Sequence, residues 1–358
     1  MALHRLKAET ASVRDHVDIQ LDKSHIVFHG CEQEALAVYL SGNLILRLKE
    51  STTIKHIRLH LSGMRRLSSL PSRAGWKKSL EEQFYTQTWE FHDLYRATPE
   101  VLASGEHTYP FNVVLEGSLP ETLEGFKDAA ISYNFRAEIG RKQGKDMHLR
   151  KPLRVIRVPT PGVGEITLDE IWAEKIAYRI DIPSKVVAFG TCLDVNYLFS
   201  PVVQDLKIEY IESQLVEVRE VAIDSSDLSS GRPSSTTILA SDRYTIDDST
   251  KSLAGYQFSR SLPLPKTLGH CVQDIDTMGI KVKHQLKIIA RMQNPDGHCS
   301  ELRLTIPVSV YLSPYYPAWE GASFVAEAIP LPLVGDSEEA PPAYGQHELD
   351  RVYSGFGV

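Results

Sequence analysis

Ile54-Lys55-His56-Ile57-Arg58-Leu59-His60-Leu61 is the stretch on which the reading of the fold turns. Ile57, Leu59 and Leu61 share one side of an extended chain, while His56, Arg58 and His60 share the other. Successive side chains of a strand point to opposite faces, so this alternation predicts an apolar face turned inward and a solvated face turned outward. A shared metal on His56 and His60 is excluded by reach. Residues four apart on a strand lie roughly 13 Å apart, too far for two imidazoles to hold one zinc ion.

The same alternation recurs at Val17–Leu21 and Ala37–Leu48. Further strands are predicted at Gln83–Phe91, Tyr109–Leu115, Ile131–Arg141 and His148–Val158. A second set runs through Ile171–Ile182, Lys185–Phe199, Leu206–Val218, Tyr256–Leu262, Ile280–Met292 and Glu301–Leu312. Leu168–Arg179 also carries helical spacing, but it leads into Ile182-Pro183 and is read as strand. Many strands punctuated by Gly and Pro predict an all-β chain of antiparallel sandwiches.

The 358 residues suffice for two such domains, each with its own core. Val158-Pro159-Thr160-Pro161-Gly162-Val163-Gly164 interrupts ladders on both sides. The predicted division is a first sandwich over 1–158, a linker at 159–166, a second sandwich over 167–312 and a flexible tail over 313–358. Met64–Ser79, basic and serine-bearing, and Asp224–Thr237, rich in Ser, Gly and Pro, are read as mobile loops.

Hydrophobic residues make up 42% of the chain and charged residues 24%, as in an ordinary globular protein. No apolar run is long enough to span a bilayer, and the N-terminus carries no signal-peptide stretch. Cys31, Cys192, Cys271 and Cys299 form no CxxC pair, and no Asn-x-Ser/Thr acceptor occurs. A reducing cytoplasmic setting is the expectation, without disulfide framework, metal or cofactor. The net charge of −7 is unevenly spread: residues 1–157 carry 23 cationic against 19 anionic side chains, and residues 158–358 carry 16 against 27. The first half could meet an acidic partner, while the tail could bind neither nucleic acid nor an anionic membrane unaided.

No GxGxxG, Walker A, HExxH or GxSxG pattern is present, so no catalytic residues are expected. A β-sandwich hydrolase would need a metal or converging carboxylates, which nothing in the sequence supplies. The densest basic segment holds Arg141, Lys142, Lys145, Arg150, Lys151, Arg154 and Arg157, with a hairpin turn at Gln143-Gly144-Lys145-Asp146. It is a candidate contact for a phosphate- or carboxylate-bearing partner, or else a solubilising edge. Lys281, Lys283 and Lys287 alternate with His284, predicting a hydrogen-bonded core histidine and an outer cationic ridge, either a plain solvated face or a contact for an acidic tail or lipid headgroups. Ser68 in Arg65-Arg66-Leu67-Ser68 is a candidate basophilic-kinase site.

After the acidic run Asp336-Ser337-Glu338-Glu339 comes Pro341-Pro342-Ala343-Tyr344, a PPxY motif. Paired prolines pre-set polyproline II, and a tyrosine three residues on returns to the same side of that helix. This is the ligand pattern that WW domains grip in aromatic grooves, with Pro341, Pro342 and Tyr344 as the contact residues.

Taken together, the chain resembles the α-arrestins, specifically the fungal arrestin-related trafficking adaptors of the carbon-response type. LDKSHIVFHG, YLSGNLILRL and IKHIRLHLSG are similar to the family's first strands, and YPFNVVLEGSLPETLEGF with ISYNFRAEIGR to the segment closing the first sandwich. DIPSKVVAFGTCLDVNYLF resembles the opening of the second domain, and IKVKHQLKIIARM with LRLTIPVSVYL its final strands. APPAYGQHELDRVY resembles the ligase-binding tail. The resemblance implies a non-catalytic adaptor built of two arrestin-like sandwiches. It would join the WW domains of a HECT-type ubiquitin ligase to plasma-membrane transporters, promoting their ubiquitylation and endocytosis. It further implies a cytoplasmic protein recruited to plasma membrane and endosomes, with peripheral membrane association, and itself ubiquitylated on a lysine such as Lys127, Lys151 or Lys175. Many relatives carry several PPxY copies, and this chain has one. A single weak contact lacks avidity, which implies a second ligase-contacting surface or exposure controlled by phosphorylation. The rival expectation is a sorting-coat or scaffold subunit of the same fold, with no ligase recruitment.

Overall fold

Alternation at 54–61 builds the centre of a 17-residue strand, Thr52–Ser68. Its register against a neighbour slips between Ile54 and His56. That bulge re-phases the chain, so Ile54 joins Ile57, Leu59 and Leu61 on the inward face at 0–1% exposure. The computed structural model describes residues 15–68, 79–93, 100–160, 164–222, 234–246, 251–252 and 255–314, and among these there is no helix.

The first half supplies β1 (His16–Leu21), β2 (His25–His29), β3 (Val38–Leu48), β4 (Thr52–Ser68), β5 (Ser79–Asp93), β6 (Glu100–Leu102), β7 (Gly105–Leu115), β8 (Ala129–Arg141) and β9 (Met147–Val158). One sheet runs β1-β3-β7; the other runs β2-β9-β8-β4-β5, with β6 also on β4. The second half supplies β10 (Ile166–Trp172), β11 (Ile176–Ile182), β12 (Val186–Ala188), β13 (Cys192–Pro201), β14 (Lys207–Val221), β15 (Ser234–Thr245), β16 (Lys251–Ser252), β17 (Gly255–Pro263), β18 (Ile275–Thr277), β19 (Ile280–Gln293) and β20 (Cys299–Tyr311). Its sheets run β10-β11-β13-β17-β16 and β12-β20-β19-β14-β15, with β18 on β19. Pairing is antiparallel except at one edge of each sandwich, where β2 lies parallel to β9 and β12 parallel to β20.

Aromatic side chains fill the space between sheets. In the first sandwich Trp89 of β5 meets Phe111 of β7 at 5.1 Å, and Phe111 meets Phe135 of β8 at 5.5 Å between ring centres. In the second, Tyr197 stacks on Phe258 at 4.9 Å and donates to or accepts from Ser213 Oγ at 2.6 Å. Such rings bury large apolar areas, and a buried phenol needs a partner for its hydroxyl.

Among the described residues, the two cores meet along the connection from β17 to β19. Residues 264–279 lead from β17 to β19; Leu264 and Cys271 pack in the second core, whereas Val272 and Ile275 pack in the first. Ile280 and Val282 of β19 follow them into the first core. From the other side, residues 117–128 run along this connection. Gly125 has φ +80, and a Cβ there would lie 2.0 Å from the Leu268 carbonyl oxygen, so the approach requires glycine. Gln273 Nε2 donates to Thr122 O at 2.7 Å, and Arg219 lies over the Phe126 ring at 5.1 Å.

Two strand readings and two loop readings need correction. Ile171–Ile182 is not one strand: β10 and β11 form a hairpin whose turn takes Ala173 and Glu174 to φ 51 and 55. Neither residue is the glycine or asparagine that normally marks such a turn. Lys185–Phe199 is also two strands, β12 and β13, which belong to different sheets and switch at Gly190, φ 75. The loop drawn at Met64–Ser79 is strand at both ends, since β4 continues to Ser68 and β5 starts at Ser79; residues 69–78 lie outside the described ones. The loop drawn at Asp224–Thr237 ends inside β15, and 223–233 lie outside the described residues. β15 takes its ladder from β14 alone, so a polar, exposed sequence suffices there.

Candidate functional site

Pro341, Pro342 and Tyr344 lie outside the described residues, as does the rest of 315–358. Three groups of charged or polar side chains remain on the body.

The first is the basic hairpin. Gly144 adopts φ +88 between β8 and β9, and Arg141 N donates to Asp146 Oδ1 at 3.0 Å, closing the turn read from the sequence. The cations do not form one free patch. Arg141 binds Asp15 at 2.7 Å, Lys151 Nζ donates to Ile19 O at 2.5 Å, Arg154 binds Glu124 at 2.7 Å and Arg157 binds Glu121 at 3.1 Å. Lys142, Lys145 and Arg150 are exposed at the end and outer face of the hairpin.

The second group is the outer face of β19. His284 points inward at 1% exposure, as the alternation predicts, and Lys281, Lys283 and Lys287 take the other parity. Lys281 is held by Asp276 at 2.9 Å, and its ammonium is pushed up by that hydrogen bond. The ridge stands on the second sandwich and the hairpin tip on the first, and Lys283 also borders a cleft that Arg157 lines. Ser68 ends β4, half-buried, with its N–H donating to Asp128 O at 2.7 Å. Arg65, just before it, donates to Met278 O and to Glu82.

The third group sits where the sandwiches join. Arg157 is a hub: besides Glu121, it donates to the carbonyls of Gly30, Gly117 and Leu119 at 3.2, 3.0 and 2.8 Å and lies over Phe28 at 5.3 Å. Burial pushes the Glu121 carboxyl up while Arg157 pulls against it. A cleft of about 340 Å³ opens beside this pair, bordered by Cys31, Asp274, Asp276 and Lys283. Deeper in the second sandwich, His284 Nδ1 donates to Asp274 Oδ1 at 2.5 Å and Nε2 faces Glu217 Oε2 at 3.3 Å and Cys271 Sγ at 3.8 Å. Burial alone would lower the His284 pKa; hydrogen bonds to Asp274, Cys271 and Glu217 outweigh it and push it up to about 11. Glu217 is desolvated too, yet His284, the Val272 N–H at 2.8 Å and Arg219 at 2.5 Å hold its carboxyl low. Burial pushes the Cys271 thiol up. A thiol so placed beside an imidazole is no nucleophile for an outside substrate, because both residues are at 0–1% exposure.

Sequence reasoning found His284 but not Glu217, Asp274 or Cys271 around it. Their positions, 217, 271, 274 and 284, come together only through the pairing of β14 with β19 and the long 264–279 connection. Alternation alone carried one signal: Glu217 occupies an apolar-facing parity on β14, between Leu215 and the strand's end.

Comparison with known proteins bears on the whole chain. The arrestin (or S-antigen) N-terminal domain pattern matches residues 17–160, and the arrestin (or S-antigen) C-terminal domain pattern matches residues 172–315. The HECT-type ubiquitin ligase-interacting protein apyA of Emericella nidulans is 57% identical over 365 residues, covering 99% of each chain. The HECT-type ubiquitin ligase-interacting protein creD of the same organism is 42% identical over 364 residues, covering 96% of this chain and 61% of that one. A probable creD of Aspergillus terreus is 43% identical, with 96% and 63% covered. The chain thus spans less than two thirds of these creD relatives.

Proposed function

The chain belongs to the arrestin family, and from that premise we propose that it is a non-catalytic adaptor that recruits a HECT-type ubiquitin ligase through its PPxY motif. The observation that carries this is the 57% identity, along 99% of both chains, to a protein named for interaction with such a ligase. Pro341-Pro342-Ala343-Tyr344 supplies the chemistry, a pre-extended segment with an aromatic anchor. In this reading the β body selects the cargo, plasma-membrane transporters, and ligase recruitment leads to their ubiquitylation and endocytosis. The protein then works from the cytoplasm at plasma membrane and endosomes. No helix among the described residues is long and apolar enough to cross a membrane.

Lys142, Lys145 and Arg150 on the hairpin, with Lys283 and Lys287 on β19, are the cations we assign to acidic cargo tails or anionic headgroups. Charge there would act mainly on association rate and salt dependence.

Titration of isolated WW domains against the intact chain and its Tyr344→Ala variant tests the ligase contact. Loss of the anchor weakens binding at least about tenfold, or about 1.4 kcal/mol. Unchanged affinity would remove the WW mechanism. A stable complex with coat partners that survives deletion of residues 313–358 would favour the scaffold-subunit reading instead.

A further inference from the structure

We propose that Cys271, His284 and Glu217 form a structural site for a zinc-type divalent cation in the core of the second sandwich. The three residues come from the β17–β19 connection, β19 and β14, and their ligand atoms lie within 4.8 Å of one another. His284 Nε2 stands 3.3 Å from Glu217 Oε2 and 3.8 Å from Cys271 Sγ. A tetrahedral ion with bonds of about 2.0 Å to N and O and 2.3 Å to S has ligand edges of about 3.3–3.6 Å. Two of the three edges are therefore within about 0.5 Å of closing on an ion, and the third, from Glu217 to Cys271, is at most 4.8 Å.

The outer contacts fit as well. A metal-bound imidazole donates its other N–H to a carboxylate, which fixes ring and tautomer. Here His284 Nδ1 donates to Asp274, and Asp274 Oδ1 is itself held by the Val310 N–H at 2.9 Å. Glu217 Oε1 is held by Arg219, and Oε2, which accepts from the Val272 N–H at 2.8 Å, keeps a second lone pair for the cluster. Thiolate with imidazole and carboxylate selects zinc-like ions over calcium or magnesium, which take oxygen ligands.

Binding requires Cys271 as thiolate and a bare His284 Nε2, so metal uptake releases protons to solvent and is pH-dependent. Glu217 and Asp274 lie within ion-pair distance of His284, and Arg219 of Glu217. Three protein ligands fill three corners of a tetrahedron. The ion would pin the connection that carries Val272 and Ile275 into the first core.

The test is metal content of the full chain, grown with added zinc and purified without chelator. We expect about one zinc per folded chain, retained when Cys31, Cys192 and Cys299 are all changed to Ser, because those three are exposed. Cys271→Ser lowers the content to below about a tenth of an equivalent, the thiolate being the strongest of the three ligands. Cobalt added during refolding should give a thiolate-to-cobalt charge-transfer band in the triple-Ser chain, which assigns the sulfur even if Cys271→Ser does not fold. A folded wild-type chain with no metal and no such band overturns the proposal. So does a content that Cys271→Ser leaves unchanged in a folded protein.

Discussion

Arg157 donates to three backbone carbonyls as well as to Glu121, while among the described residues Glu121 has one cationic partner, so the two halves of this buried pair are not equivalent. Arg157→Ala strips Gly30, Gly117 and Leu119 of their donor and leaves a cavity against Phe28. A cost of about 3–5 kcal/mol is expected, as for other broken buried pairs. Glu121→Gln keeps the shape and removes a carboxylate that burial already disfavours, so it should cost less than half as much. Urea denaturation of the two variants checks the order; equal losses would show that the pair's attraction, not the carbonyl clasp, dominates. Little of this was legible beforehand. Arg157 read as one more cation in a basic run, because sequence carries no mark of which arginine turns inward. His284 was legible, since the apolar parity of its neighbours forced it into the core.

β15 and β17 lie in different sheets of the second sandwich and are clipped together by Arg260 and Asp242, with two contacts at 2.7 and 2.8 Å. The Arg260 hydrogen bonds hold the Asp242 carboxyl below its ordinary value of 3.8. A depressed carboxyl stabilises the fold above its unfolded pKa and loses that contribution as pH falls through the folded one. Asp242→Asn should therefore lower Tm slightly at pH 7, by the equivalent of under about 1 kcal/mol for a partly exposed pair. The gap to wild type should begin to close near pH 3.8 and vanish only below the lower folded pKa. A gap that persists into strong acid would assign the effect to packing. Gly125→Ala is a harsher change. With φ +80 and the Leu268 carbonyl 2.0 Å from the new Cβ, it should cost more than about 2 kcal/mol by forcing two segments apart, read by thermal melting. Strands with one apolar face, such as β3, β4, β8 and β19, were plain in the sequence. Those that escaped were short, like β6 and β18, or polar at an edge, like β15. Each borrows its stability from a neighbour, so its own residues need not alternate. Turns at Ala173-Glu174 lacked the usual residue types for the same reason: the surrounding ladders hold them.

Val272, Ile275, Ile280 and Val282 belong by sequence to the second sandwich and by packing to the first core. One calorimetric transition is expected for the two sandwiches, since neither core is complete without the connection. Two resolved transitions would show that the shared side chains contribute little. A fragment ending at residue 160 should expose the apolar surface that these four cover and precipitate, whereas a chain ending after residue 314 should stay soluble. Gene shuffling meets the same constraint. A foreign second half could be spliced behind this first half only if it brought its own matching plug, so the two halves are inherited as a pair and not as interchangeable modules.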